Sequence, residues 1–313
     1  MIIARCEYLS GDFAPIMLRQ VDQPVPVRRK NMELSKHALG GRRGTVLLAM
    51  RLAVGVASLV GFLAAASAEI ALPARMASSK KITYCSDLSG PPLEFFDESG
   101  KPVGSDVDIG EEIGKRLGVS VVWANTPFSG IVPALQAKNC DAILSQLFDK
   151  PARREVIDFV DYMYSSESFL VAKGNPKNVK SIADLSGLKI AVENGTTIQS
   201  LIEDQNKKFE SAGKPKADVI VFPKDSDARQ ALQIGQVDVY GTTLESAAYF
   251  LQKAGHVFDI GGEPFAKILT GIGVRNDDGE LRTAIESALN AMKADGTYTK
   301  ILTKWGLEGD ALP

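Results

Sequence analysis

Two spots in this 313-residue chain hold side chains whose types and spacing suit the capture of a small charged molecule. Arg153 follows a buried-looking apolar segment, on a turn opened by Lys150-Pro151. Its guanidinium is a planar fork of donors that matches two carboxylate oxygens better than a Lys ammonium does. Composition alone favours a solvated surface Arg at such a place. Gly195-Thr196-Thr197 lies between a strand-like and a helical run. Free N–H groups at a helix start, with a Thr hydroxyl, suit an anion; ordinary N-capping by Thr is the competing reading.

Catalytic groupings are sparse. Beyond residue 68 there is one histidine, His256, so a Ser–His–Asp triad or a His-rich metal site would have to use it. No Gly-x-Ser-x-Gly elbow, P-loop or Gly-x-Gly-x-x-Gly is present. Asn194-Gly195-Thr196 forms a glycosylation sequon, but its strand-to-helix setting favours the anion-binding reading. Asp97-Glu98-Ser99-Gly100 reads as a turn rather than a calcium loop. Neither a cofactor nor a metal is expected.

The elements that must position these residues alternate strand and helix from Lys80 onward. A helix–turn–strand pattern occurs twice, at Ala134-Leu135-Gln136-Ala137-Lys138-Asn139-Cys140-Asp141-Ala142-Ile143 and at Ala231-Leu232-Gln233-Ile234-Gly235-Gln236-Val237-Asp238-Val239-Tyr240. Lys81-Ile82-Thr83-Tyr84 and Lys189-Ile190-Ala191-Val192 form a weaker pair. The apolar spacing predicts strands at 81–85, 119–123, 141–144, 168–172, 189–192, 219–222, 237–240 and 268–274. It predicts helices near 107–117, 130–138, 197–209, 228–234, 244–253 and 280–293, with a last helix around Tyr298 to Trp305; Ser105 or Asp106 is the expected cap of the first. A small hairpin is expected around Phe95-Phe96 and Pro102-Val103. Alternation of this kind implies α/β layers with mainly parallel sheets. Two similar units suggest two lobes facing across a cleft, a common place for a small ligand.

Residues 1–68 read as a leader. Arg51, the apolar run Leu52 to Ala66, and Ala66-Ser67-Ala68 are the three parts of a secretory signal peptide; a membrane anchor is the alternative, though the run is short for one. Met50 would itself open a good signal peptide. No Cys follows the cleavage site closely, which argues against a lipid anchor. The chain has 36 Lys and Arg against 38 Asp and Glu; nine and four of these lie in residues 1–68, leaving 27 and 34, a net of −7. An acidic exported chain is a poor partner for nucleic acid or anionic membranes. Export permits a disulfide between Cys85 and Cys140. Yet Cys85 lies late in its strand and Cys140 precedes its own, so both are read as small buried residues rather than a bridge.

Several motifs together resemble the periplasmic solute-binding proteins of polar amino-acid ABC transporters. They are Pro91-Pro92-Leu93-Glu94-Phe95, Val103-Gly104-Ser105-Asp106-Val107-Asp108, Pro127-Phe128-Ser129-Gly130-Ile131-Val132-Pro133-Ala134-Leu135, Pro151-Ala152-Arg153 with Asp158-Phe159, Gly195-Thr196-Thr197, and Lys293-Ala294-Asp295-Gly296-Thr297-Tyr298. The resemblance runs from Lys80 to Leu307. It implies a two-lobed α/β fold of the type II binding-protein kind, each lobe a mainly parallel sheet flanked by helices, joined by two crossing strands. Lobe 1 would comprise 80–172 plus 265–313, and lobe 2 residues 173–264. It further implies a periplasmic monomer that closes on a small ligand and delivers it to an ABC permease.

By the same resemblance Arg153 clamps the ligand carboxylate, with Gly195, Thr196 and Thr197 opposite. Asp87 meets a cationic side chain, Phe128 walls the pocket, and Ser145 and Gln146 contact the ligand. Three positions depart from the family pattern: Gly90 stands where an aromatic is usual, Phe148 where Ser or Thr is usual, and Thr243 where an Asp commonly holds the α-ammonium. These departures favour a carboxylate-bearing ligand in general, whether an amino acid, a modified or opine-like one, or another small organic acid. The alternatives are an enzyme of the same fold that dehydrates an arogenate-like acid, and a ligand sensor feeding a separate receptor.

Overall fold

The computed structural model describes residues 70–313; the predicted leader, with its signal-peptide features and the Met50 start, lies outside the described residues. Among those described, no helix is long and apolar enough to cross a membrane. The first unit contains β1 (Lys81–Ser86), β2 (Ser89–Gly90), β3 (Glu94–Phe96), β4 (Pro102–Val103), α1 (Ser105–Leu117), β5 (Ser120–Asn125), α2 (Ile131–Gln136) and β6 (Ala142–Ile143). The expected hairpin is β3–β4, with Phe95 opposite Val103. Asp97 shapes its turn by accepting from the Ser99 and Lys101 amides at 2.8 and 2.9 Å, as turn aspartates do. α1 starts at Ser105 without a side-chain cap. Of the two expected caps, Ser105 is the first helical residue, and Asp106 points inward and accepts from Tyr162 Oη at 2.7 Å.

Short α3 (Pro151–Arg154) leads into β7 (Ile157–Ala172), and the second unit follows: β8 (Lys189–Glu193), α4 (Thr197–Ser211), β9 (Asp218–Phe222), α5 (Asp225–Gln233), β10 (Val239–Thr243), α6 (Leu244–Ala254) and β11 (Phe258–Ile260). The chain returns along β12 (Phe265–Arg275) and ends with α7 (Gly279–Ala294) and α8 (Thr297–Trp305). One sheet has the order β5-β1-β6-β12-β7-β10-β8-β9, with β11 also on β7. β1 runs parallel to β5 and β6, and β8 parallel to β9 and β10. Between these parallel sets lie the antiparallel β7 and β12. The start of β7 pairs with β12 and its end, Glu167 to Val171, with β10. This is the two-lobed α/β architecture with two crossing strands. β7 begins eleven residues before the extended run expected at Ser168, because buried polar Ser165, Glu167 and Ser168 interrupt its apolar pattern.

The repeated motif has a common physical basis. In the first copy Asp141 accepts from the Thr83 amide at 2.8 Å, and in the second Asp238 accepts from the Lys189 amide at 2.9 Å. Each aspartate thus pins the start of a neighbouring strand, β1 or β8. The turns before them pass through positive φ at Lys138 (61°) and Gly235 (73°), which ends each helix and redirects the chain into the sheet.

Alternation along the strands builds a core on each sheet face. Ile82 and Tyr84 of β1 join the cluster under α1, α7 and α8, whereas Cys85 faces α2 with Leu135 and Ile143. In the second unit Ile190 and Val192 pack under α4 while Ala191 faces α5 and α6. Each fully buried aliphatic contributes roughly 1.5–3 kcal/mol, so helices are held on both faces of both halves.

The two cysteines correct the expectation from sequence. Cys85 and Cys140 form a disulfide with their Cα atoms 5.6 Å apart, within bonding range. Cys85 is the ladder partner of Ile143. The offset of three residues does not separate the cysteines because the chain bends at Cys140 on leaving α2, laying it over the sheet face rather than along the strand.

Candidate functional site

The parallel strands present their carboxyl ends to one hollow, the usual ligand position in α/β sheets. Asp87 follows β1, Ser145 and Gln146 follow β6, Glu193 ends β8 and Thr243 ends β10, and all line this hollow. So do Phe128, Phe148, Arg153, Thr196 and Thr197. Nine of the ten expected positions therefore converge. Gly195 does not line the hollow: its amide donates to Gln199 Oε1 at 2.8 Å.

Arg153 is brought in by α3, whose Pro151 suits a first helical turn. Its Nη1 donates to the Phe148 carbonyl at 2.9 Å and Nη2 to the Gly195 carbonyl at 3.5 Å, so the group spans from the first unit to the second. The guanidinium carbon lies 5.5 Å from the centre of the Phe128 ring. Burial pulls its pKa down to about 10, against the opposing pull of Glu167; the side chain stays charged at neutral pH. Facing it is the start of α4. Thr196 Oγ1 accepts from the Gln199 amide at 3.4 Å and donates to the Glu193 carbonyl at 2.7 Å, an ordinary cap. Thr197 and Ile198, the first two helical residues, line the hollow, and amides at these positions have no intrahelical acceptor.

The other end of the hollow is acidic. Asp87, Glu94, Glu193 and Asp225 all line it. The Asp87 amide donates to Ser145 Oγ at 2.9 Å, Ser145 Oγ donates to Glu94 Oε1 at 3.0 Å, and Asp87 Oδ2 accepts from the Phe128 amide at 2.9 Å. Tyr240 Oη donates to Asp225 Oδ1. That leaves Glu94 Oε2, Glu193 Oε1 and Asp225 Oδ2 buried with no protein donor. Burial, reinforced by Asp106 and Asp87, drives the Glu94 pKa well above the carboxylate range. Burial raises Glu193 and Asp225 in the same direction, with Asp225 and Asp87 adding to the rise at Glu193 and Asp87 to that at Asp225. Arg229 pulls the Asp225 pKa part of the way down, but among the described residues no cation is paired with any of the three, and an incoming cation would favour their charged forms.

Gln146 forms the floor between the two ends. Its amide donates to Asp106 Oδ2 at 2.9 Å, and its Nε2 to Glu245 Oε2 at 3.0 Å and Ser165 Oγ at 3.2 Å. Thr243 Oγ1 accepts from the Ser246 amide and lies 3.4 Å from Gln146 Oε1. Phe148 gives its carbonyl to Arg153 and lines the hollow. Gly90 leaves its wall open: a Cβ there would meet only the Glu94 carboxylate, at 3.5 Å.

Sequence reasoning missed Glu94, Glu167, Glu193 and Asp225 as lining groups. Glu193 ends a strand just as Asp87 follows one, and Asp225 opens the helix after β9, so the strand-end rule could have found both. Glu94 lay inside a motif already singled out. Glu167 carried a different signal, a charged residue within a long buried strand.

The model of bacterial extracellular solute-binding proteins, family 3, matches residues 82–308. The lysine/arginine/ornithine-binding periplasmic protein of Escherichia coli (strain K12) is 32% identical over 255 residues, covering 79% of this chain and 93% of that protein. The histidine-binding periplasmic protein of Salmonella typhimurium (strain LT2) is 29% identical over 262 residues, covering 82% and 96%. Among solved structures, an ancestral arginine-binding protein bound to arginine is 35% identical with a TM-score of 0.67, covering 72% of this chain and 98% of that one. An ancestral amino acid-binding protein, a precursor of cyclohexadienyl dehydratase, is 30% identical with a TM-score of 0.67, covering 74% and 97%. With nearly all of the described residues matched and the hollow lying between two α/β units, the chain belongs to the bacterial extracellular solute-binding proteins of family 3.

Proposed function

We propose that this chain captures an α-amino acid with a cationic side chain in the periplasm and presents it to the membrane permease of an ABC importer. It acts as a monomer, is exported by its leader, and closes by hinging at β7 and β12. Lobe 1 is 80–172 plus 265–313, and lobe 2 is 173–264. The observation that carries the ligand class is the trio of buried carboxylate oxygens without donors, on Glu94, Glu193 and Asp225. A guanidinium offers five N–H donors in a plane, and the neighbouring Asp87 adds a fourth acid. An extended organic cation can reach all of these acids at once.

The ligand carboxylate sits on Arg153 and the α4 amides of Thr197 and Ile198, one group from each lobe. That pair exists only when the lobes meet, so the carboxylate favours the closed state. The relatives named for lysine, arginine, ornithine and histidine support the reading. Chemistry on the ligand is not part of it, although one similar structure is a dehydratase precursor; His256 is absent from the lining. The test is mass spectrometry of co-purifying solute followed by a melting-shift panel of amino acids. A ligand at about a hundred times its Kd adds roughly 2.7 kcal/mol. Shifts confined to neutral or acidic amino acids would overturn the assignment.

A further inference from the structure

We infer that Glu167 is the receptor for the ligand's α-ammonium, an assignment that rests on the proposed amino-acid ligand. The amine of an α-amino acid is separated from its carboxylate by a single carbon, so whatever grips the carboxylate fixes where the amine must lie. The carboxylate seat is Arg153. Of the five acids lining the hollow, Asp87, Glu94, Glu193 and Asp225 form the cluster at the far end. Glu167 stands apart from them on β7. It is 2% exposed and lines the hollow, and its carboxylate accepts no hydrogen bond from any described residue. An acid buried in this way requires a partner, and no protein cation is paired with it within 4.0 Å. Lys150 and then Arg153 pull on the Glu167 charge, and Glu167 pulls on Arg153, which puts it at the carboxylate end.

The alternatives nearby are committed elsewhere. Glu245 takes Gln146 Nε2 and the Ser166 amide at 3.0 and 3.3 Å, and it does not line the hollow. Thr243 is neutral. It is also the ladder partner of Glu167 across β10 and β7, and residues directly opposite on one sheet face have Cβ atoms about 4.5–5.5 Å apart. An acid at either position can therefore serve the same volume, which allows the charge to be moved across the ladder as a test. The ligand is then read by three charges: Arg153 on the carboxylate, Glu167 on the amine, and the four-acid cluster on the distal cation.

The probes are L-arginine and 5-guanidinopentanoate, which is arginine without the amine, titrated calorimetrically. In the wild type, arginine is expected to bind at least thirtyfold more tightly. In Glu167→Gln that ratio should fall below about threefold, and in the double variant Glu167→Gln with Thr243→Asp it should recover most of its value. If the glutamine variant fails to fold, Glu167→Asp is read instead, and a ratio reduced severalfold is expected. A ratio unchanged in the Glu167 variant overturns the assignment while leaving the cationic ligand standing. Binding of neither probe by the wild type sinks the ligand class and this assignment together.

Discussion

Replacing Arg153 by Ala separates binding from folding more sharply than any other change. Its guanidinium contacts the Phe148 carbonyl at 2.9 Å, reaches the Gly195 carbonyl at 3.5 Å, and pairs with no described acid. Burial already works against its charge, lowering its pKa to about 10. The unliganded fold therefore gains little from it: a hydrogen bond of about 1 kcal/mol and a cation–π contact of similar size, offset by the desolvated charge. The complex gains far more. Removing one partner of a buried, hydrogen-bonded charge pair costs about 2–5 kcal/mol, or about 30- to 4,000-fold in Kd at 1.4 kcal/mol per tenfold. Calorimetry should show that loss for arginine, while the denaturant midpoint of the unliganded protein changes by an amount worth less than about 1 kcal/mol. Wild-type affinity, or a large loss of unliganded stability with affinity intact, would refute the clamp and make Arg153 a structural residue.

Gly195→Ala should hinder closure, since a Cβ there would fall 2.9 Å from Ser129 Cα of the opposite unit, at φ +83°; affinity should drop by more than about tenfold, on top of the roughly 1–2 kcal/mol that left-handed backbone costs a residue with a Cβ, as read by calorimetry alongside melting. Glu167 has its pKa raised from 4.5 to about 8, first by burial and then by Glu245. The folded protein then holds a proton that the unfolded chain has lost, so unliganded stability should be fully present below about pH 4.5 and decline as pH rises through 8. Melting points from pH 4.5 to 8.5 should show this decline, and Glu167→Gln should make it shallower, the remainder coming from the other buried acids whose pKa values are raised. Reducing the Cys85–Cys140 bridge, which spans 55 residues, should cost about 4 kcal/mol by loop entropy, seen as a lower urea midpoint in dithiothreitol.

The fold was legible wherever apolar period and turn chemistry agreed. The two helix–turn–strand copies could be read because Asp141 and Asp238 perform the same strand-pinning task. β7 was seen only in its last third, since its centre carries buried Ser and Glu residues that serve the hollow rather than the core. The disulfide was misread for a related reason: strand offsets measure distance only where the chain is extended, and it bends at Cys140. At the site, Arg153, Asp87 and Thr197 were visible through motifs, but the acidic cluster was not. Glu94, Glu193 and Asp225 lie up to 131 positions apart (225 − 94), and only the packing of β8 and α5 against the first unit reveals that their oxygens share one space.

Arginine against citrulline is the most direct measurement of the central claim, because the two differ by a guanidinium and its neutral isostere. Titration of the unliganded protein at pH 7.5 should give arginine an advantage of at least a hundredfold, with protons released as the cluster acids ionise. Equal or tighter binding of citrulline, with no proton release, would contradict the account.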